Sequence, residues 1–124
     1  MENLVIKGDN IAPEVYFNPN TGELKIEGKS LHENPLGYFR PMLAWVQEYS
    51  FEPAPRTIVK IYLQHFNTAS TKCLISFLEK LQKIAETGNE VIVNWHYEAD
   101  DDDMQEAGED LSHLYRIPFK FIAE

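Results

Sequence analysis

The sequence predicts an α/β fold: a single domain with a mixed sheet of about five or six strands, an N-terminal β-hairpin and about three helices packed mainly on one face. The chain has 124 residues, which fit one hydrophobic core. It is 44% hydrophobic and 12% aromatic, enough apolar material for a folded domain. Apolar patterns with strand and helix periods follow one another in the order β-β-β-α-β-α-β-α-β. The strand–helix–strand unit over residues 57–97 requires a parallel pair of strands and favours a right-handed crossover.

The N-terminal part is predicted to be extended. Residues 3–7 and 14–18 have strand character, and the turn-forming residues 18–22 precede an alternating segment at 23–27. This pattern predicts a hairpin with Leu24 and Ile26 facing inward. Residues 28–33 are predicted to be a loop.

The first helix is predicted around two prolines. Asn34 and Pro35 have the types of a cap residue and a first helical residue, whereas Pro41 predicts a kink or a restart, with the main helix over residues 41–49. An apolar stripe at helical spacing predicts the buried face. Its members are Leu36, Phe39, Leu43 and Val46, with Trp45 and Tyr49 as further candidates.

The second half alternates strands and helices. Residues 57–66 are rich in β-branched and aromatic types and predict a central strand, with Val59, Ile61 and Leu63 on one face. The following helix ends before Gly88. Its apolar positions at helical spacing are Leu74, Phe77, Leu78, Leu81 and Ile84.

The same strand and helix periodicities predict the last three elements. Residues 90–97 alternate as a strand, residues 104–114 predict a short helix, and the final strand carries Ile117, Phe119 and Phe121. Pro118 cannot donate a backbone hydrogen bond, which places this final strand at an edge of the sheet.

The net charge of −9 is concentrated in one segment. Outside this segment the chain has twelve acidic and eleven basic residues, so the body of the protein is nearly neutral. No basic cluster is present to bind a phosphate backbone, which argues against nucleic acid as a partner. The acidic residues of the segment are Glu98, Asp100, Asp101, Asp102, Asp103, Glu106, Glu109 and Asp110.

The expected location is the cytoplasm. No apolar run has the length of a membrane span, so no membrane insertion is expected, and the N-terminal residues lack the pattern of a signal peptide. Cys73 is the only cysteine, which excludes an internal disulfide and fits a reducing compartment. Its place in an apolar helical pattern indicates a small core residue rather than a nucleophile.

A hydroxyl-rich segment lies where the predicted central strand gives way to the following helix. Ordinary capping explains it if Asn67 or Thr68 accepts a hydrogen bond from the helix start. A phosphate on Thr68 is the alternative, because free amides and the helix dipole favour an anion there, and Lys72 lies one turn further on. Both interpretations use the same local geometry.

The acidic segment has three possible roles: a solvated helix start, a docking surface for a partner, or a divalent cation site. The cation site is the weakest, because Asp100 to Asp103 are consecutive and cannot all point at one ion. We therefore predict no metal and no cofactor. The segment follows a strand that is predicted to run parallel to the central one, which places it at the same sheet edge as Thr68.

Catalytic motifs are absent. The four histidines show no HExxH spacing, and the chain contains neither GxSxG nor GxGxxG. Glu106 and Glu109 with His113 are the remaining candidates for an acid–base group, as in a small hydrolase. No substrate pocket can be identified for them, so the chain is not expected to be an enzyme.

Four strings carry a family resemblance: PEVYFNPNTGELKIEGKS, NPLGYFRPMLAWVQEY, YLQHFNTASTK and VIVNWHYEADDDDMQEAGED. Together they resemble the SiaC family of bacterial regulatory phosphoproteins over nearly the whole chain, and the FNT and WHYEADDDDM strings are the specific parts. The resemblance implies one regulatory domain over residues 1–124 with a fold similar to STAS domains and anti-sigma-factor antagonists.

The resemblance also implies a function. It implies that a partner protein kinase phosphorylates Thr68, that a PP2C-type phosphatase reverses this, and that the unphosphorylated form binds and activates a diguanylate cyclase. Such activation raises cyclic di-GMP and promotes biofilm formation. A partner-switching role with another effector is the alternative. The residues expected to flank the phosphosite or to contact partners are Asn67, Ser70, Thr71, Lys72, Asp100, Asp101, Asp102, Asp103 and Glu106.

Overall fold

The computed structural model describes residues 1–124, in which six strands form one sheet with the order β1-β2-β3-β4-β5-β6. The strands are β1 (Leu4–Ile6), β2 (Glu14–Asn18), β3 (Glu23–Ser30), β4 (Arg56–Phe66), β5 (Glu90–Tyr97) and β6 (Phe119–Ala123). The helices are α1 (Pro35–Tyr49), α2 (Thr68–Glu86) and α3 (Asp102–Ser112). Strands β1 to β3 pair antiparallel and β3 to β6 pair parallel, so the predicted α/β fold with a mixed sheet and three helices is confirmed.

The core lies between the helices and one face of the sheet. Each of the three crossovers moves one strand in the same direction, and crossovers of the same hand then place their helices on the same face. The predicted inward residues Leu24, Ile26, Val59, Ile61 and Leu63 are all buried on this side. On the other face, alternating residues of β2 to β5 are only partly buried, and no helix covers them.

Strand β3 is longer than predicted. The loop predicted to begin at residue 28 is wrong at that boundary, because pairing with β4 continues to Ser30 opposite Phe66. The register shifts between Gly28 and Lys29, and Gly28 has a φ of 129°, which a residue with a side chain rarely adopts. Long-range pairing with an eleven-residue strand therefore extends a segment whose local pattern is that of a loop.

Helix α1 runs without a break from Pro35 to Tyr49, so the predicted restart at Pro41 is wrong. Phe39, Met42 and Val46 are fully buried on both sides of Pro41, and this packing compensates for the hydrogen bond that proline cannot donate. The prediction that Leu36 belongs to the buried stripe is wrong, because this residue is 49% exposed. The buried face of α1 includes Met42 instead of Leu36.

The remaining elements are close to their predicted positions. Helix α2 buries all five of its predicted core residues, β5 spans residues 90–97, and β6 lies at the sheet edge after Pro118. Helix α3 begins at Asp102, two residues before the predicted start, because the Asp101 side chain accepts a hydrogen bond from Met104 N and caps the helix. None of the helices combines the length and apolar character of a membrane span.

Candidate functional site

The junction between β4 and α2, residues 67–72, is fixed by Asn67. Its backbone is extended, and its side-chain oxygen accepts a hydrogen bond from Ser70 N at 2.8 Å. Its side-chain nitrogen donates to His32 O at 3.2 Å, and its backbone N–H donates to Ser30 O at 3.3 Å. Asn67 thus caps α2 and also ties the start of this helix to the segment that follows β3.

A pair of buried hydroxyls lies beneath the junction. Ser70 Oγ donates to Ser30 O at 3.0 Å, and the two side-chain oxygens are 2.7 Å apart, so the Ser30 hydroxyl donates to that of Ser70. Ser70 has no exposed surface and Ser30 has 2%. Ser70 therefore supports the junction from below and presents nothing to a partner, so the prediction that it contacts a partner is wrong.

Thr68 is the first residue of α2, and it is exposed. Because Asn67 provides the cap, the Thr68 hydroxyl takes part in none of the hydrogen bonds that form the helix start. The Thr71 hydroxyl, by contrast, donates back to Asn67 O at 3.3 Å and is partly buried. Of the hydroxyls of the junction, that of Thr68 is both exposed and outside this network.

Replacing Asn67 with alanine is expected to lower the free energy of unfolding by about 1–2 kcal/mol, because it removes the cap and leaves His32 O without its donor. Chemical denaturation monitored by circular dichroism measures this change. Asn10→Ala is the matched control, since Asn10 is exposed and its variant should unfold like the wild type. Equal stability of the two variants would contradict the assigned role of Asn67.

The acidic segment, residues 98–110, leaves the sheet beside the junction. Strands β4 and β5 are adjacent and parallel, from Arg56 opposite Glu90 to Tyr62 opposite His96, so their C-terminal ends lie at the same edge. Asp101 caps α3, and Asp102 and Asp103 occupy its first turn, where carboxylates complement the helix dipole. This arrangement fits a solvated helix start with acids still available on its outer side.

The acids of the segment do not converge on one point. Glu98 accepts a hydrogen bond from the Tyr62 hydroxyl at 2.6 Å, which raises the pKa of Tyr62 to about 12. Asp100 and Glu106 are exposed. No group of three or more histidine, cysteine, aspartate or glutamate side chains is arranged to hold a metal ion.

Helix α3 is held against β5 by one tight contact. Trp95 has no exposed surface, and its ring nitrogen donates to Met104 O at 3.0 Å. Gly108 lies directly over the same ring, where a Cβ atom would be 2.5 Å from Trp95 Cδ1. The position of the acidic helix at this edge therefore depends on the absence of a side chain at residue 108.

Two grooves lie between the junction and the acidic helix, and both are lined by Phe66 and Ala107. The first, of about 500 Å³, has Asp101 and Asp103 on its α3 side. The second, of about 350 Å³, has Thr71 on one side and Asp110 on the other. Residues that flank Thr68 therefore face the acids of α3 across shallow, open space.

Exposed leucines surround this edge, and no sequence pattern predicts them as surface residues of a site. Leu31 lines the first groove, Leu114 lines the second, and Leu36 lines a third groove of about 270 Å³ with Ala69 and Lys72. All three leucines are at least 41% exposed. Exposed apolar side chains grouped within one area are typical of a protein-binding surface.

The other chemically reactive residues do not form a site with Thr68. Glu106 and Glu109 are exposed on α3, and His113, which follows the last residue of this helix, is also exposed. Cys73 is buried, and burial raises the pKa of its thiol, so it is a poor nucleophile at neutral pH. The edge thus presents one exposed hydroxyl, apolar side chains and carboxylates, which suits recognition of another protein better than bond-breaking chemistry.

The class of protein follows from this fold and edge together with a family match. The model of the SiaC family of regulatory phosphoproteins matches residues 6–124, and the chain belongs to this family. The resemblance seen in the sequence is thereby confirmed.

Proteins of Pseudomonas aeruginosa are similar to this chain. An uncharacterised protein of strain UCBPP-PA14 is 25% identical over 119 residues, covering 96% of this chain and 94% of that protein. The crystal structure of apo-SiaC has a TM-score of 0.91 and 26% identity, covering 99% of this chain and 100% of that one. A third match is in the crystal structure of the diguanylate cyclase SiaD in complex with its activator SiaC; its TM-score is 0.91 at 25% identity, covering 98% and 99% of the two chains.

Proposed function

We propose that this protein is a non-enzymatic switch that binds and activates a diguanylate cyclase, and that phosphorylation of Thr68 turns this binding off. A protein kinase adds the phosphoryl group and a PP2C-type phosphatase removes it. Membership of a family of regulatory phosphoproteins supports the regulatory role. The complex of SiaD with its activator SiaC supports a cyclase as the effector.

The observation that carries the proposal is the free hydroxyl of Thr68 at the first position of α2. A kinase needs an accessible hydroxyl, and here Asn67 performs the capping that a threonine at a helix start often performs. Modification of Thr68 therefore breaks no hydrogen bond of the junction. The fold is the same in the two states, and the difference between them is at the surface.

Charge explains how the switch works. A phosphothreonine carries close to two negative charges at neutral pH, and it would be added beside grooves that Asp101, Asp103 and Asp110 already line. A partner that contacts the leucines around this edge in the unmodified state would have to bury that dianion or leave it without compensation. Lys72, one turn along α2, offsets only part of the added charge.

Intact-mass measurement after incubation with the cognate kinase and ATP tests the proposed modification. The wild type should gain one phosphoryl group, and Thr68→Val should gain none. Thr71→Val is the matched control, because its hydroxyl is engaged with Asn67 O and its removal should leave phosphorylation unchanged. A phosphoryl group mapped to another residue in the wild type would refute the assignment of Thr68.

Binding of the cyclase is tested separately. Addition of the unmodified protein should raise the rate at which a purified diguanylate cyclase from the same organism converts GTP to cyclic di-GMP. The protein incubated with GTP alone should form no product. A cyclase whose rate is unchanged by saturating amounts of the unmodified protein would refute the effector assignment while leaving the phosphorylation result intact.

A further inference from the structure

The sheet has one face that no helix covers, although four of its strands are parallel. Strands β3 to β6 run parallel, and all three helices contribute to the core on the opposite face. Parallel strands are usually covered on both faces, because their crossovers place helices there. Ile58 and Ile92 lie side by side on the uncovered face and are only partly buried. This face thus has apolar surface available for a partner.

Charges on the uncovered face are sorted into two neighbouring rows that cross the strands. The basic row contains Tyr16, Lys25, Lys60, Asn94 and Lys120, which are paired in register from β2 to β6. The acidic row lies two residues from the basic row on every strand, towards the C-terminus in β3 to β6 and towards the N-terminus in the antiparallel β2. It contains Glu14, Glu27, Tyr62, His96 and Ile122. The basic row has three lysines and no acid, and the acidic row has two glutamates and no lysine.

We propose that this face pairs with the same face of a second copy of the chain. A two-fold axis that runs along the rows, midway between them, places the basic row of each copy over the acidic row of the other. Lys25 then faces Glu27 of the second copy, and the reverse contact follows by symmetry. The strands of the two sheets run roughly antiparallel, an aligned packing that twisted sheets commonly adopt.

A polar contact between copies is available at Asn94. This residue lies in the basic row and is only partly buried. In the proposed dimer Asn94 faces His96 of the second copy, because these residues occupy equivalent places in the two rows. The Nδ1 atom of His96 donates to Glu124 Oε1 at 2.5 Å, so Nε2 of the neutral ring is free to accept a hydrogen bond from the Asn94 side-chain nitrogen of the second copy.

The size of the face predicts a weak dimer. Six strands about 4.8 Å apart and three levels of side chains about 6.7 Å apart give a face of roughly 500 Å². Stable interfaces bury about 800 Å² on each partner. Some charges are also already paired within one copy, since Lys25 and Lys60 lie 3.2 and 3.7 Å from the Glu27 carboxylate. Dissociation constants in the micromolar range or weaker are therefore expected.

Charge reversal in trans tests the proposal. Sedimentation velocity over a micromolar to millimolar range should show reversible dimerisation of the unmodified protein. Lys25→Glu and Glu27→Lys should each weaken self-association at least tenfold, because each places like charges opposite one another. An equimolar mixture of the two variants should form a heterodimer at least as tight as the wild-type dimer, since both contacts then join a lysine to a glutamate.

The mixture separates contacts between copies from contacts within one copy. Breaking the Lys25–Glu27 pair of a single chain cannot be repaired by adding a second variant, so rescue would show that the contact is intermolecular. Lys83→Glu on the exposed side of α2 is the matched control and should dimerise like the wild type. A protein that remains monomeric at millimolar concentration, or variants that fail to rescue each other, would overturn the proposal.

The two surfaces are independent. The Thr68 edge lies at the C-terminal ends of the strands, whereas the uncovered face lies across the sheet from the helices. Phosphorylation of Thr68 should therefore leave dimerisation unchanged. Failure of the dimer test has no bearing on the binding of the cyclase.

Discussion

Phosphorylation of Thr68 is expected to weaken binding of the cyclase by roughly 100-fold or more, the effect of a like-charge or desolvation cost of about 3 kcal/mol. Thr68 is exposed on the first turn of α2, and its neighbours line these grooves: Ala69 lines the one that holds Leu36, and Phe66 lines those that hold Asp101 and Asp110. A dianion at this position must be desolvated when a partner covers the surrounding leucines. Isothermal titration calorimetry with protein that carries phosphothreonine at residue 68 measures the loss.

Two variants of Thr68 separate charge from shape, and a third variant at a distant position is the control. Thr68→Val has nearly the same volume without a hydroxyl and should bind like the wild type. Thr68→Asp should show a smaller loss than phosphothreonine because it carries about half the charge. Thr21→Glu adds a charge in the turn before β3, at the opposite edge of the sheet, and should bind normally. Tight binding by the phosphorylated protein would contradict a charge-based switch.

Replacing Gly108 with alanine is expected to lower the free energy of unfolding by about 3 kcal/mol, a large effect for one methyl group. The new Cβ atom would lie within 2.5–2.7 Å of Trp95 ring atoms, and this ring is fully buried and bonded to Met104 O. Neither the ring nor the helix can yield without losing that packing. Helix α3 should therefore shift away from β5 and take the acidic side of the edge with it.

Gly37→Ala is the control for this substitution. Gly37 also lies in a helix, but a Cβ atom there would meet only Asn34 Nδ2, at 3.8 Å, so alanine should be neutral or slightly stabilising. Thermal unfolding measures both effects, and the fluorescence of Trp95 should change in the Gly108 variant alone. If both glycine variants unfold alike, the contact between α3 and Trp95 does not determine stability.

Local patterns predict most of the fold. Alternation gives β4 and β5 within one residue, and helical spacing gives the buried face of α2, because these elements pack on one side only and their sequences show it. The sequence-based predictions are wrong where contacts between residues far apart in the sequence determine the local structure. Lys29 and Ser30 are extended because β4 is there to pair with, and α1 passes through Pro41 because Phe39 and Met42 are buried on the same core.

The candidate site is predictable in part. Parallel strands at the centre of the sheet place the junction and the acidic segment at one edge, and this follows from the order of elements. Which residue caps α2 does not follow, since Asn67 and Thr68 are both suitable types, and only the structure assigns the cap to Asn67. The burial of Ser70 also depends on its contact with Ser30, 40 residues earlier in the chain, which no local pattern encodes.

The strand order has a consequence for how this chain can fold during synthesis. Each strand pairs with the one made just before it, so the sheet can grow from β1 to β6 in the order in which the ribosome releases the residues. No strand has to be inserted between two that are already paired. Nascent chains should therefore expose an unpaired strand only at the growing edge, which limits the time available for aggregation.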